Sequence, residues 1–232
     1  MTNAIAKLKF GKAFLTLIKN PKKTDSIFDM ADYFMGKRLD SSALEKQLNI
    51  RQEFRRLYEE RYLPEVNVVE LGTLPEGTLG REFADHMKRN NLAVDFYRKI
   101  EATNLIKYLS LRMRQTHDIW HVVTGFDTSL AGELGLQAFN FAQIRSGLGV
   151  LIIAGGLLHI LRYDPQKMPE VFDAIVEGYL SGKKSAYLPA FKLEENWNTP
   201  LSDLRSQLNI SSSKSWLAET DQNHFQRKSR SK

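Results

Sequence analysis

The residue types best suited to metal chemistry lie in one short stretch of the sequence, His117-Asp118-Ile119-Trp120-His121, which is followed eleven residues later by Glu133. On an α-helix the two histidines lie one turn apart, and the aspartate falls within the same arc of about 100°. Two imidazoles and two carboxylates suit a divalent cation with one open coordination position. Zn²⁺ is expected first, with Mn²⁺, Fe²⁺, Co²⁺ or Mg²⁺ as alternatives. A hydrogen-bonded His–Asp–Glu cluster without metal is the competing interpretation.

A first long helix, expected from about residue 103 to residue 124, must carry both histidines. They continue an apolar row with i+4 spacing, formed by Leu105, Leu109 and Met113. A row of this kind faces a protein core, and buried imidazoles beside carboxylates need hydrogen-bond partners or a metal.

A second helix must return Glu133 to the first. A break at residues 125–127 lets the chain reverse, with Asp127 as the expected N-cap. The second helix is then expected to continue towards Tyr163, before Asp164-Pro165 ends it. The metal site is therefore predicted between two long adjacent helices.

Further polar residues near this motif are candidates for substrate contacts: Arg112, Arg114, Gln137 and Asn140. The two arginines suit a phosphate or a carboxylate, or else they are ordinary exposed side chains. The other two follow Glu133 at helical spacing and either line a site or face solvent. No catalytic residue is assigned. His86 and His159 lack ligand-like spacing and are interpreted as ordinary.

Composition bounds the fold and the chemistry. The chain has 232 residues, 42% of them hydrophobic, and no cysteine. It is long enough for one buried core, and disulfides, thiolate metal sites and cysteine nucleophiles are excluded. Helical patterns dominate, so we predict an all-α, single-domain bundle of about seven to nine helices. The expected divisions are a basic amphipathic helix at 1–23, a helical metal- and lipid-binding domain at 24–210 and a flexible basic tail at 211–232.

Helix boundaries follow from capping and breaking residues. The expected helices besides the two at the metal motif cover residues 4–19, Thr24 or Asp25 to Met35, a segment beginning at Ser41 or Ser42, Thr78 to about Asn90, residues 168–182 and residues 200–208. Residues 64–74 are expected to be irregular or extended, and residues 66–71 are the single strand-like run.

Charge and hydropathy suggest where the protein acts. The net charge of +6 comes from basic residues near the two ends, which suit an anionic membrane surface or are simply solvated. No nucleic-acid partner is predicted. The most apolar run, residues 148–158, is too short to span a bilayer. Residues 147–156 contain four glycines, which suggest close approach by a core helix or a second subunit, or else by a lipid tail.

Several segments together resemble the coenzyme Q (ubiquinone) biosynthesis protein 4 family. The His-Asp-x-x-His-x₁₁-Glu motif is one of them. Residues 74–83, Leu-Pro-Glu-Gly-Thr-Leu-Gly-Arg-Glu-Phe, are another, with Phe83 in place of the family's tyrosine. The Arg-Met-Arg-Gln-Thr-His-Asp segment at 112–118 and the stretch from Glu194 to Trp197, followed by 200–210, complete the resemblance. It covers about residues 71–210. Residues 1–70 are not clearly matched, and Glu195 stands where a basic residue is expected.

This resemblance implies that His117, Asp118, His121 and Glu133 are metal ligands. It also implies an all-helical protein on a membrane surface that binds long prenyl-chain lipids and belongs to a complex of quinone-biosynthesis enzymes. The family is linked to oxidative decarboxylation of the ring carbon that bears the carboxylate, which leaves a hydroxyl there. We expect a cytoplasmic, peripheral membrane protein of a bacterium, with the matrix side of the mitochondrial inner membrane as the alternative.

Three functions follow as expectations. The first is a metal-dependent enzyme acting on a prenylated hydroxybenzoate. The second is a non-catalytic scaffold that binds prenyl lipid and organises other enzymes. For any of these functions a homodimer is the expected assembly, because two-fold dimers are the most frequent oligomers. The third and weakest is a metal-dependent hydrolase, which is disfavoured as a peptidase because Asp118 stands where His-Glu-x-x-His helices place their glutamate general base.

Overall fold

The computed structural model describes residues 3–21, 23–35, 46–49, 51–93 and 101–211. In these ranges the chain forms ten complete α-helices, a further helical turn at residues 46–49, three short 3₁₀ helices and no strand. The prediction of an all-α bundle is confirmed. The C-terminal tail beyond residue 211 and the helix start expected at Ser41 or Ser42 lie outside the described residues.

The helices follow one another in this order: α1 (Asn3–Lys19), α2 (Thr24–Met35), α3 (Gln52–Glu59), α4 (Val68–Leu71), α5 (Leu79–Arg89), α6 (Leu105–Thr124), α7 (Leu130–Ile144), α8 (Gly147–Tyr163), α9 (Met168–Lys184) and α10 (Leu201–Leu208). The 3₁₀ helices are Pro165–Lys167, Leu188–Ala190 and Leu193–Glu195. Among the described helices, none combines the length and apolar character needed to cross a bilayer.

The long second helix expected up to Tyr163 is in fact two helices, and this part of the prediction is wrong. Arg145 ends α7 in the left-handed conformation, with φ of 58°. Ser146 then begins α8, and its hydroxyl accepts a hydrogen bond from the Leu148 amide at 3.2 Å. A left-handed residue followed by a serine cap ends one helix and starts the next. The apolar periodicity continues through both helices, so the sequence pattern did not indicate where α7 ends and α8 begins.

Two smaller predictions also need correction. The N-cap of α7 is Ser129, whose hydroxyl accepts from the Gly132 amide at 3.1 Å, and Asp127 instead accepts from the Ser129 backbone and side chain. The strand-like residues 66–71 contain the short helix α4, because the Asn67 side chain caps it by accepting from the Glu70 amide. A strand needs a partner strand, and the described residues form none.

Close helix contacts at glycines hold α7, α8 and α9 together. A Cβ atom on Gly178 of α9 would lie 1.9 Å from the Gly135 carbonyl oxygen of α7, so these two backbones touch directly. On α8, Gly155 lies against Leu17 of α1, and Gly156 lies against Leu134 of α7. The two glycines at the centre of the apolar run therefore accommodate side chains of the same chain, as expected for core packing.

The segment before α5 is fixed by the stretch that leads into α10. The Gly80 amide donates to the Trp197 carbonyl oxygen at 2.9 Å, and the Leu201 amide donates to the Gly77 carbonyl oxygen at 2.8 Å. The rings of Phe83 and Trp197 pack with centroids 5.4 Å apart. Two of the segments that carry the family resemblance are thus in direct contact.

Substitution of Gly178 tests the α7–α9 contact. Gly178→Ala should lower the free energy of unfolding by about 1–3 kcal/mol, because the added methyl group forces the two backbones apart. Gly11→Ala is the matched control, since no atom lies within 4 Å of a Cβ at that position of α1. The control should be neutral or stabilising by up to about 1 kcal/mol. Urea unfolding that gives both variants equal stability would contradict this packing.

Candidate metal centre

The end of α6 brings the predicted ligands to a sharp reversal of the chain. Gly125 adopts φ of +81° and its amide donates to the His121 carbonyl oxygen at 2.8 Å, so α6 stops one turn after the second histidine. Glycine adopts this left-handed conformation without the cost of a side chain. Five residues later α7 begins at Leu130, and Glu133 lies in its first turn.

The ring of His121 is fixed by the reversal itself. Its Nδ1 lies 2.9 Å from the Phe126 carbonyl oxygen, and a carbonyl only accepts, so Nδ1 donates this hydrogen bond. The lone pair of the neutral ring is therefore on Nε2. A backbone carbonyl that orients one imidazole nitrogen is the usual partner of a histidine that binds metal through the other nitrogen.

Three predicted ligands converge on one point. The Nε2 atoms of His117 and His121 lie 3.2 Å apart. One carboxylate oxygen of Glu133 lies 3.3 Å from Nε2 of His121, and the other lies 3.7 Å from Nε2 of His117. Ligand atoms bound about 2.0–2.1 Å from a tetrahedral ion are separated by about 3.3 Å. These residues therefore have the spacing that a divalent cation requires.

Asp118 completes the group on the α6 side. One ligand atom each from His117, Asp118 and His121 lie within 4.8 Å of one another. The His121 side chain is almost fully buried, at 1% exposure, whereas Glu133 is 37% exposed. The cluster therefore has a buried base and an accessible side from which a ligand can enter.

The electrostatics of the cluster favour an ion pair between His121 and Glu133. Burial lowers the pKa of His117. Burial acts in the same direction on His121, but the hydrogen bond and the negative charge of Glu133 outweigh it and raise the pKa of that ring. For Glu133, burial is outweighed by the hydrogen bond from His121 and the two nearby imidazoles, so its pKa is lowered. The carboxylate is thus available as a ligand at neutral pH.

Arg205 of α10 holds the C-terminal end of α6. Its Nε donates to the Val123 carbonyl oxygen and its Nη2 to the Val122 carbonyl oxygen, both at 2.8 Å. These carbonyls lie in the last turn of α6, where no amide within the helix is available to them. A cation at a helix C-terminus also interacts favourably with the helix dipole. Sequence patterns around Arg205 gave no indication of this role.

The two candidate arginines have other partners. Arg112 is 1% exposed and forms a bidentate ion pair with Glu194, with N–O distances of 2.5 and 3.2 Å. The Arg114 guanidinium lies over the Phe28 ring of α2, 4.6 Å from its centroid. Neither arginine is among the residues that converge with His117.

The two candidate polar residues of α7 lie on the helix face that carries Glu133. Gln137 is half-buried, and Asn140 is buried with 8% exposure. The Asn140 Oδ1 atom has no hydrogen-bond partner in the described part of the chain. The polar side chains of α7 therefore extend from Glu133 into the protein interior rather than along the solvent-exposed side.

His86 is the residue that the sequence interpretation missed. It lies on α5, and its ring stacks on His121 with centroids 5.6 Å apart and planes inclined by 21°. Burial, followed by the proximity of His121, lowers the pKa of His86 to about 4. It is far from the metal motif in sequence, so no local spacing could connect it with the site.

A family comparison identifies the chain. The family model described as coenzyme Q (ubiquinone) biosynthesis protein Coq4 matches residues 3–214. The chain belongs to the Coq4 family. The resemblance drawn from the sequence motifs is confirmed, and the match extends through the N-terminal residues that those motifs did not cover.

Individual Coq4 relatives agree with this assignment. The mitochondrial ubiquinone biosynthesis protein COQ4 of Laccaria bicolor is 26% identical, over 88% of this chain and 69% of its own length. The mitochondrial COQ4 homologue of Rattus norvegicus is 29% identical, over 64% of this chain and 56% of its own length. The match thus spans just over half of the rat protein.

A solved structure shares the fold. It is the crystal structure of a protein from Nostoc punctiforme PCC 73102 described as a ubiquinone biosynthesis protein. The two chains are 34% identical and superpose with a TM-score of 0.77. The match covers 89% of this chain and 99% of the other.

Removing one charge of the buried Arg112–Glu194 ion pair should destabilise the protein more than removing both charges. Glu194→Leu should lower the free energy of unfolding by about 3–5 kcal/mol, because it leaves a buried guanidinium without its counter-charge. The double variant Arg112→Leu/Glu194→Leu should recover most of that loss, since no unpaired charge remains. Chemical denaturation measures both. A double variant as unstable as the single one would show that the pair itself carries the stability.

Proposed function

We propose that this Coq4-family protein binds a divalent metal through His117, Asp118, His121 and Glu133. The observation that carries the proposal is the convergence of two imidazole Nε2 atoms and both oxygens of one carboxylate at distances of 3.2–3.7 Å. Zn²⁺ is the expected ion, and Mn²⁺, Fe²⁺, Co²⁺ and Mg²⁺ are accepted by similar ligand sets. The competing interpretation, a metal-free polar cluster, predicts no affinity for any of them.

The proposed substrate is a prenylated hydroxybenzoate of ubiquinone-type quinone biosynthesis. In the proposed reaction the ring C–C bond to the carboxylate breaks, CO₂ leaves, and a C–O bond forms at the same ring carbon. One oxygen atom of dioxygen enters the ring, and the other is reduced to water. The substrate supplies two of the four electrons, and an external two-electron donor such as a reduced nicotinamide supplies the other two. A bound divalent metal supplies a Lewis-acidic centre for the carboxylate or an oxygen species.

The protein's own residues orient the reactants. The Phe126 carbonyl holds His121 in one ring orientation, and the accessible side of Glu133 leaves room for an incoming carboxylate. Farther along α7, the buried Asn140 Oδ1 atom offers a hydrogen-bond acceptor for a ring hydroxyl, and Gln137 lies between it and Glu133. These two residues are our candidates for substrate contacts.

An apolar surface on α8 and α9 supports the lipid part of the proposal. Its exposed side chains are Val150, Leu158, Leu161, Tyr163, Phe172, Val176, Tyr179 and Leu180. Many exposed large apolar side chains on two successive helices suit an interaction site. On α1, Ile5, Leu8 and Leu15 are also exposed beside lysines, which suits the surface of an anionic membrane.

The second candidate function is a non-catalytic scaffold, and the same apolar surface favours it. In that case the protein holds a prenyl lipid at the membrane and organises other quinone-biosynthesis enzymes, with the metal shaping the lipid site. Alternatively, a second copy of the chain covers this apolar surface in a homodimer. We propose peripheral attachment to a bacterial membrane, and the mitochondrial names of the fungal and rat relatives make the matrix side of the inner membrane the alternative.

Metal binding should depend on the four proposed ligands. Co²⁺ titration followed by visible absorption should give a saturable site in the wild-type protein. His117→Ala and Glu133→Gln should each weaken it by more than about 100-fold, because loss of an outer partner of a ligand alone costs roughly 10–100-fold. His159→Ala is the matched control, since His159 binds the Ile18 carbonyl oxygen far from the cluster.

The same variants test catalysis. Supplied with a reduced nicotinamide as electron donor, metal-loaded wild-type protein should release CO₂ from a prenylated 4-hydroxybenzoate and incorporate one ¹⁸O atom from ¹⁸O₂ into the ring. The double variant His117→Ala/Glu133→Gln should not. Equal activity in both proteins would show that the metal takes no part in the reaction. Intact metal binding without any activity would favour the scaffold.

Charge on the apolar surface should reduce membrane binding. Leu161→Glu/Val176→Glu should lower co-sedimentation with anionic liposomes several-fold, because both side chains are more than half exposed and would lie against lipid. Val69→Glu is the control, since Val69 is 83% exposed on α4, outside this surface. Unchanged liposome binding would show that this surface does not contact the membrane, and loss of a dimer in light scattering would reassign the surface to a second copy.

A further inference from the structure

His86 borders the metal centre without belonging to the predicted ligand set. The side chain is buried, with 7% exposure, and its ring stacks on the ligand His121. Its electrostatic neighbours include Asp118 and His117, so the ring lies within the field of the cluster. Three separate helices therefore contribute to this position: α5 with His86, α6 with the histidine pair and α7 with Glu133.

Asn90 determines which nitrogen of His86 carries the proton. The Asn90 Oδ1 atom accepts from the Thr128 hydroxyl at 2.9 Å, and its Nδ2 donates to the His86 carbonyl oxygen at 2.9 Å. With the amide fixed in this way, Nδ2 is also the donor towards Nδ1 of His86, at 3.4 Å. Nδ1 is therefore the acceptor nitrogen of the neutral ring, and the proton lies on Nε2.

The hydrogen bonding of its ring argues against His86 as a fifth ligand. An imidazole binds a metal through a lone pair in the plane of its ring. The His86 ring is stacked on the His121 ring with planes inclined by 21°, and its Nδ1 lone pair already accepts from the Asn90 amide. The protonated Nε2 has no lone pair to offer in any case. His86 thus presents a hydrogen-bond donor beside the ion position.

This donor has no acceptor within the described part of the chain. The Nε2 atom of His86 is buried and makes no hydrogen bond there. An unsatisfied buried donor destabilises the folded protein, and a phenylalanine would fill the same space without that cost. A histidine at this position therefore destabilises the free protein, which is understandable if a bound ligand supplies the acceptor.

We propose that His86 is a ligand-binding residue whose Nε2–H donates a hydrogen bond to a carboxylate oxygen of an aromatic acid held at the metal centre. The proposal rests on the proposed metal site and adds a specific contact to it. A carboxylate oxygen carries negative charge and accepts such a hydrogen bond more strongly than a neutral phenol oxygen does, so this donor favours an acid over its decarboxylated phenol. The Thr128–Asn90 network, which joins α5 to the start of α7, keeps that donor in position.

The experiment uses the full-length protein loaded with Co²⁺, with 4-hydroxybenzoate as the probe and visible absorption as the readout. His86→Phe should bind Co²⁺ with an affinity within about twofold of the wild type and bind 4-hydroxybenzoate roughly 10-fold or more weakly, as expected for loss of a hydrogen bond to a charged group. Its melting temperature should equal or exceed that of the wild type. His159→Phe is the matched control and should change neither affinity.

The possible results separate this proposal from the proposed function. If the wild-type protein binds no Co²⁺, the metal site fails and the His86 contact fails with it. If Co²⁺ binds and His86→Phe binds 4-hydroxybenzoate as tightly as the wild type, only the His86 proposal is overturned. The same holds if the wild type binds Co²⁺ but not 4-hydroxybenzoate.

A second measurement observes the His86 ring of the wild-type protein directly. In a long-range ¹H–¹⁵N spectrum of Zn²⁺-loaded wild-type protein, His86 should appear as the Nε2–H tautomer, and its Nε2 resonance should shift on addition of 4-hydroxybenzoate. His86→Gln, which keeps a donor group, assigns the resonance by its disappearance. An Nδ1–H tautomer, or an unperturbed Nε2 resonance at saturating ligand, would contradict the proposed contact.

Discussion

The reversal between α6 and α7 is the constraint on which the candidate site depends. Gly125 turns the chain with a positive φ, and the Phe126 carbonyl that follows accepts the hydrogen bond from His121 Nδ1. A Cβ atom on Gly132 would lie 2.2 Å from the Asp127 carbonyl oxygen, so the turn closes tightly against the start of α7. This compact turn returns Glu133 to both histidines. A looser connection would separate the carboxylate from the imidazoles.

Buried polar contacts between distant segments hold α6 in place around this reversal. Arg112 is paired with Glu194 near the middle of the helix, and Arg205 donates to two carbonyls in its last turn. Both partners of α6 lie in the C-terminal segment that also packs Trp197 against Phe83. The segments that carry the family resemblance therefore form one connected support for the helix that carries His117 and His121.

Local sequence signals predicted the helices and the grouping of His117, Asp118 and His121, because helical spacing alone places the two histidines one turn apart. Features set by distant contacts were not predictable in the same way. The Arg112–Glu194 pair joins residues 82 positions apart, and no periodicity encodes it. His86 reaches His121 only because α5 packs beside α6. The end of α7 at Arg145 depends on one left-handed residue within a continuous apolar pattern, so hydrophobicity could not reveal it.

The central claim is that four side chains form one metal site, and anomalous scattering from crystals grown with Zn²⁺ tests it most directly. Data collected above and below the zinc absorption edge should give a single strong peak about 2.0–2.2 Å from the Nε2 atoms of His117 and His121, with a Glu133 oxygen and Asp118 completing the coordination. A peak bound to other residues, or no peak above background at this cluster, would contradict the claim and leave a metal-free hydrogen-bonded group.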